Sequence, residues 1–190
     1  MRTTPKTGER IFVQEVNIND FEDVYAVFSN KQVMRYAFLD AFPSPDALRS
    51  YFESMLENAA ASVGRKGYEY LVRQAETGET IGFADLRREA PVAEGPCADL
   101  GYFLLPPYWG QGYATEIGHS LLAFGFETLG LAKITGCCHA DNRASQHVLE
   151  KLGMTLEAVH PNARLKDGGW HDEPFYGLTA ANWRALRPRA

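Results

Sequence analysis

The sequence predicts an α/β fold, a mixed sheet of about seven strands covered by about four helices. Three observations lead there. Strand-like runs outnumber helical ones, in the order β, α, α, β, β, β, α, β, α, β, β. Helices alternate with strands only around the fourth and fifth strands, so the sheet is expected to be mixed. The chain has 190 residues, 45% hydrophobic and 23% charged, an ordinary globular composition. A chain of that length buries roughly 70% of its unfolded surface and needs no disulfide or structural metal.

Residues 10–16 read as the first strand. Asn19 or Asp20 can cap a helix with Phe21, Val24, Tyr25 and Phe28 on one face. A second helix is expected to start near Pro45 and Asp46, with Leu48, Tyr51, Phe52, Met55 and Leu56 inward. Residues 68–74 and 80–87 flank the turn Glu76-Thr77-Gly78-Glu79 and read as a hairpin. Residues 97–105 read as a strand ended by Pro106 and Pro107, neither of which can donate a ladder hydrogen bond. A helix follows over about 115–129, with Ile117, Leu121, Leu122, Phe124 and Leu129 largely apolar-facing and Gly130 as its stop. Residues 133–138 form another strand. Asp141 or Asn142 caps a short helix that carries Val148, Leu149 and Leu152 and ends at Gly153. Two closing strands, about 155–160 and 174–179, bracket an Asp167-Gly168-Gly169 turn. With no repeat or low-complexity linker, one domain over 1–190 is expected, its core about 10–180.

Net charge is 19 − 24 = −5. A nucleic-acid binder shows a basic field, which this composition lacks. Three cysteines do not make a disulfide framework, and Cys137 and Cys138 read as small buried hydrophobes pointing to opposite faces of a strand. The polar start MRTTPKTGERIF has no apolar core of a signal peptide. No run of about 18 apolar residues spans a membrane. The expected address is the cytoplasm, and both a monomer and a homodimer stay open.

The most informative stretch is the loop Tyr108-Trp109-Gly110-Gln111-Gly112-Tyr113-Ala114 between a strand and a helix. The first turn of a helix leaves N–H groups without partners, and the macrodipole adds positive charge there. Glycines remove side chains that would hold a diphosphate away. The loop can therefore bind a pyrophosphate without a lysine. Taken alone, the glycine pair equally fits an ordinary strand-to-helix turn. It lacks the Gly-Lys-Ser/Thr ending of a Walker loop and the third glycine of the dinucleotide fingerprint.

The wider context resembles the GNAT superfamily of N-acetyltransferases, in the branch typified by ribosomal-protein N-terminal acetyltransferases. The residues that carry the resemblance are Asp99-Leu100-Gly101-Tyr102-Phe103-Leu104 and the run from Pro107 to Glu116. Asn142-Arg143-Ala144-Ser145 and Val148-Leu149-Glu150-Lys151-Leu152-Gly153-Met154 follow. Thr77-Gly78-Glu79-Thr80-Ile81-Gly82-Phe83, Gly169-Trp170-His171-Asp172 and Phe175-Tyr176-Gly177-Leu178 complete it, over roughly residues 10–180. The resemblance implies a mostly antiparallel sheet splayed between its fourth and fifth strands, and an acetyl-CoA site with no metal. It implies that backbone N–H groups of Trp109, Gly110, Gln111, Gly112, Tyr113, Ala114 and Thr115 hold the CoA pyrophosphate. It implies that the strand at Phe103, Leu104 and Leu105 pairs with pantetheine, one N–H polarising the thioester carbonyl, with Asn142 close by. A strand held apart from its neighbour exposes backbone groups that an amide-bearing ligand can satisfy, which agrees. Trp109 stands where the superfamily usually has Gln or Arg.

Acetyl transfer to an amine needs a neutral amine, a stabilised carbonyl oxygen and a way to accommodate the leaving thiolate. A lysine-like amine is neutral roughly 0.04% of the time at pH 7, an α-amine roughly 10%. A carboxylate acting through water would serve an α-amine; the candidates are Asp99 on the central strand and Asp172 and Glu173 near the closing strand, each of which also reads as solvated or structural, and Glu116. Glu116 also suits the helix dipole. For the acid, many members of the superfamily use a tyrosine at the position of Leu149 here. Some N-terminal acetyltransferases are proposed to use a serine at the position of Ser145, which also reads as a cap or CoA-contact hydroxyl.

The expected function is acetyl transfer from acetyl-CoA to a primary amine, a protein N-terminus or a small molecule, by direct attack in a ternary complex. The alternative is a non-catalytic acyl-CoA-binding sensor or scaffold. The resemblance places the acceptor cleft at about residues 19–60 and 160–176, where Tyr36, Phe38, Phe42 and Trp170 can shape it or serve the core. Consecutive Cys137, Cys138 and His139 do not match spaced zinc ligands. His119 and His147 read as ordinary helix imidazoles. Tyr108, Trp109 and Tyr113 read as core and loop packing. The tail from Trp183 to Arg189 reads as solvated.

Overall fold

The computed structural model describes residues 8–61 and 63–186. Residues 1–7, with most of the polar start, and Arg187 to Arg189 of the tail lie outside them. Seven strands form one sheet in the order β1-β2-β3-β4-β5-β7-β6. They are β1 (Ile11–Glu15), β2 (Gly67–Gln74), β3 (Thr80–Val92), β4 (Gly95–Leu104), β5 (Lys133–Cys137), β6 (Thr155–Lys166) and β7 (Gly169–Thr179). The helices are α1 (Phe21–Phe28), α2 (Lys31–Met34), α3 (Pro45–Ala60), α4 (Tyr113–Ala123), α5 (Arg143–Lys151) and α6 (Ala180–Leu186).

Every strand pair is antiparallel except β4 with β5. That parallel pairing is short, Cys97–Asp99 against Lys133–Thr135. Beyond Asp99, β4 stays paired with β3 up to Leu104 but parts from β5. The expected splay is therefore present, and it opens a wedge at the middle of the sheet.

Alternation along β4 sorts its side chains to two faces. Ala98, Leu100 and Leu104 join a core with Ile117, Leu121, Leu122 and Leu149 under α4 and α5. Phe103 packs against the other core, built from Val24, Phe28, Leu48 and Phe52 of α1 and α3 with Leu71 and Phe83. Asp99 and Gly101 share the face of Phe103.

Several elements differ from the sequence reading. Asn17 and a short 3-10 turn precede α1; Asp20 accepts the Asn17 N–H at 2.9 Å in a capping box of that turn and makes no cap bond to α1 itself. Ser44 caps α3, its hydroxyl accepting from the Ala47 N–H at 3.3 Å. The unforeseen α2 is capped by Asn30 through the N–H groups of Gln32 and Val33. The helix expected over 115–129 starts at Tyr113 and changes to a π-turn over Phe124–Thr128. Strand β4 ends at Leu104, one residue early, and β3, β6 and β7 run longer than expected. The outer part of β3 and most of β6 are exposed, so no alternation marks them. Asp167 and Gly168, both at positive φ, make the tight turn between β6 and β7. Trp183 corrects the solvated-tail reading. It lies on α6, is buried, and stacks on Phe126 with ring centroids 5.7 Å apart.

Candidate active site

The glycine loop joins β4 to α4. Gly110 and Gly112 sit at φ 71° and 82°, the left-handed region where a side chain is strained. Gly112 is the N-cap of α4, and no side chain caps that end. Side chains of the loop's own residues tie it down. The Trp109 indole N–H donates to the Leu104 carbonyl at 2.6 Å, and the Gln111 amide donates to the Pro107 carbonyl at 2.7 Å. Trp109 thus anchors the loop to the end of β4.

Arg10 was read only as the start of a strand, yet it belongs here. Its Nη1 donates to the Gln111 carbonyl at 2.9 Å and its guanidinium lies 4.5 Å from the Tyr113 ring centroid. Glu116 pairs with it at 2.9 Å, so this carboxylate is engaged in holding Arg10 rather than free to act as a base.

A cleft of about 550 Å³ runs from this loop to α5. Gly110, Gly112, Tyr113, Ala114 and Thr115 line one end, and Asn142, Ser145 and Lys151 the far side. Its size suits a cofactor-sized ligand. The uncapped N–H groups, the absent Cβ atoms and the nearby guanidinium together fit a diphosphate.

Strand β4 meets the cleft along its free edge. The Leu105 N–H donates to Ile81 of β3 at 2.9 Å. By alternation Phe103 and Leu105 turn their main-chain groups to β3, while Tyr102 and Leu104 turn theirs to the wedge. The run expected along pantetheine was Phe103, Leu104 and Leu105. Of the three residues, only Leu104 offers an N–H toward the wedge.

A second, smaller cavity of about 110 Å³ lies in the wedge itself. Asp99, Arg87, Phe38 and Arg164 line it, and it shares Val33, Tyr36, Tyr102, Asn142 and Ser145 with the larger cleft. The two spaces therefore meet at these five residues. Asn142 caps α5, its Oδ1 accepting from the Ser145 N–H at 3.2 Å. Ser145 Oγ stands 2.8 Å from the Tyr102 phenol. Burial raises the pKa of Tyr102, against a smaller opposing effect of Ser145, so the phenol stays protonated. Leu149, at the position where a tyrosine was considered, is buried in the core. Tyr102 supplies a phenol from β4 instead. The sequence reading missed it because nothing local links residue 102 to residue 145.

Asp99 faces the smaller cavity. Its Oδ2 receives Arg87 Nη2 at 3.2 Å, and its Oδ1 lies 3.3 Å from the Thr135 hydroxyl. Burial drives its pKa upward. Arg87 opposes, Asp85 and Glu89 add to the rise, and the result is about 7. The other base candidates line neither space. Glu173 is buried in a pair with Arg164, and Asp172 accepts the Asn162 N–H at 3.0 Å.

Arg164 of β6 also donates to the Tyr36 carbonyl and packs 3.7 Å from the Phe38 ring centroid. Lys166 donates to the Leu39 carbonyl at 3.0 Å. The β6–β7 hairpin thus fastens residues 36–39 over the wedge. Phe42 belongs to the α1–α3 core, and Trp170 is exposed and lines neither space.

His139, Asp141 and His171 come together, with candidate ligand atoms within 4.8 Å of one another, a grouping that sequence spacing did not suggest. The Nδ1 of His139 accepts the Asp141 N–H at 3.1 Å. Burial first, and then His171, lowers the His139 pKa. No described helix is long and apolar enough to cross a membrane.

Known proteins share this fold. The model of the acetyltransferase (GNAT) domain family matches residues 10–155. The uncharacterized N-acetyltransferase YoaA of Bacillus subtilis is 29% identical over 173 residues, 90% of this chain and 93% of that protein. A GNAT-family acetyltransferase from Bacillus anthracis superposes with a TM-score of 0.76 at 24% identity, covering 93% of this chain and 98% of that one. A spermidine N-acetyltransferase from Vibrio cholerae, in complex with CoA and spermine, gives 0.80 at 18% identity, covering 93% and 99%. The last two likenesses are of fold. With three quarters of its length matched by one family model, the chain belongs to the GNAT family of acetyltransferases and is an acetyl-CoA-dependent N-acetyltransferase.

Proposed function

We propose that this enzyme acetylates a primary amine, the α-amine of a protein N-terminus or a small molecule, by direct attack in a ternary complex. One observation carries the reading. The cofactor-sized cleft and the smaller cavity meet at Tyr102, Asn142 and Ser145, and Asp99 faces the smaller one. Acetyl-CoA supplies the acetyl group as an activated thioester. The backbone N–H groups of residues 110–115 hold its diphosphate, and the Leu104 N–H faces the thioester carbonyl. The amine enters the smaller cavity, where Asp99 takes its proton through a water. A carboxylate with a pKa of about 7 is matched to that task near neutral pH.

Ser145 and Tyr102 serve the leaving sulfur. A phenol is a better donor than an alkanol, so Tyr102 donates to Ser145 and leaves the serine proton free for the thiolate. In the branch whose motifs the chain carries, an α-amine acceptor asks least of the base, because about a tenth of it is already neutral at pH 7. The enzyme would work in the cytoplasm, where its cysteines, free in the structure, stay reduced.

The test is incubation with acetyl-CoA and an amine panel, comprising peptides with free N-termini, amino acids and spermidine. Free thiol and acceptor mass are followed together. Thiol release that depends on one class of amine, with an acetyl group added to it, supports the reading. CoA binding with no acceptor-dependent thiol release across the panel would overturn it.

A further inference from the structure

Beside Asp99 the sheet carries a second, buried carboxylate that the proposed reaction does not use. Asp85 of β3 is 6% exposed and directly opposite Gly101 of β4. Two residues along, Arg87 is directly opposite Asp99. All four positions share one face of the sheet. The guanidinium of Arg87 bridges two carboxylates, with Nε 3.2 Å from Asp85 Oδ2 and Nη2 3.2 Å from Asp99 Oδ2. Gly101 makes this possible, since a Cβ there would overlap Asp85 Oδ1. That oxygen has no hydrogen-bond partner.

We propose that Asp85 is a positioning residue for the base: it holds Arg87 between two carboxylates, so that Asp99 stays able to accept the proton of the attacking amine. A guanidinium committed wholly to Asp99 would stabilise its ionised form and weaken it as a base. Shared with Asp85, it orients Asp99 without quenching it. Burial raises the pKa of Asp85, and the Arg87 guanidinium beside it opposes that rise. In the proposal the ionised pair leaves little net field at Asp99, where Arg87 alone would leave a large one.

The neighbouring groups do not substitute for Asp85. Glu89 of β3 lies across Thr135, whose hydroxyl is 3.0 Å from its Oε2. Tyr51 of α3 and Glu69 of β2 interact with Asp85 from the far side. Cys137 of β5 holds its proton, its pKa raised chiefly by burial. Among the described residues, Arg87 is the cation paired with Asp99, and Asp85 is the other carboxylate paired with Arg87.

This rests on Asp99 acting as the base, and the experiment keeps the two apart. The side-chain carboxyl carbon of Asp99, labelled with carbon-13 and assigned with Asp99→Asn, is titrated by NMR in the wild type, Asp85→Asn and Arg87→Gln. Asp85→Asn is expected to move its midpoint to lower pH, and Arg87→Gln to higher pH, each by about one unit. The rising limb of kcat should move with them, since the ionisation of the acceptor is common to all forms. A purely structural role would move neither midpoint. Gly101→Ala displaces Asp85 without changing any charge and should shift the midpoint as Asp85→Asn does, which covers the case where Asp85→Asn fails to fold. An unmoved midpoint in a folded Asp85 or Gly101 variant, or a shift of the same sign in Asp85→Asn and Arg87→Gln, overturns the proposal. Should Asp99→Asn keep full kcat, the reading of Asp99 as base fails instead, whatever the titration shows.

Discussion

The phenol of Tyr102 and the hydroxyl of Ser145 stand 2.8 Å apart, joining the free edge of β4 to the first turn of α5. The contact lies where the two spaces of the site run together, and it supplies the protonated group that the buried Leu149 cannot. Tyr102→Phe and Ser145→Ala should each lower kcat about 10- to 100-fold while leaving CoA affinity within about threefold. Acting as one unit, the pair should lose no more in the double variant than in the worse single one. Steady-state kinetics at saturating acetyl-CoA check this, and a Ser145→Ala enzyme with normal turnover would remove the serine from the mechanism.

Asp99→Asn should cut kcat by about 10²- to 10⁴-fold, the usual range for losing a general base. In the proposed mechanism the base accepts the proton in its ionised form. Wild-type kcat should therefore rise with pH through about 7, and that limb should vanish in the variant. Profiles recorded from pH 5 to 9 test both statements.

Stability should carry the opposite signature. The folded Asp99 has a pKa of about 7, above its unfolded value, so the native state holds more protons across the window between them. Its contribution to stability is then lost as pH rises from about 4 to about 7. Asparagine does not ionise, so Asp99→Asn should gain stability relative to wild type at pH 8 compared with pH 5. Thermal melts at the two pH values measure the sign.

Gly112→Val places a β-branched residue at φ 82° and fills the surface offered to the diphosphate. CoA affinity should fall at least about 10-fold. The sheet lies away from the loop, and far-UV circular dichroism should be unchanged. Calorimetry with CoA reads the first, and equal affinity in the variant would remove the diphosphate from this loop.

The parts of the fold legible in the sequence are those with local signals. The glycine loop, the Pro106-Pro107 stop, the Asn142 cap and the stop at Gly130 all depend on neighbours in sequence, and each is where it was expected. The exposed lengths of β3 and β6 carry no alternation and were cut short. In the site, the expected residues Asp99, Asn142 and Ser145 line one space. Tyr102, Arg87 and Arg10 were not, because each acts through a partner on another element. Cross-strand register decides those meetings, and it is set by the whole sheet. The same register turns the main-chain groups of Phe103 and Leu105 to β3 and those of Tyr102 and Leu104 to the wedge.

A crystal structure with CoA bound tests the central claim most directly. The account predicts the diphosphate within hydrogen-bonding distance of the N–H groups of residues 110–115, with the pantetheine arm along Tyr102 to Leu104 and the sulfur beside Ser145. A diphosphate bound away from the first turn of α4, or a sulfur remote from Ser145, would contradict it.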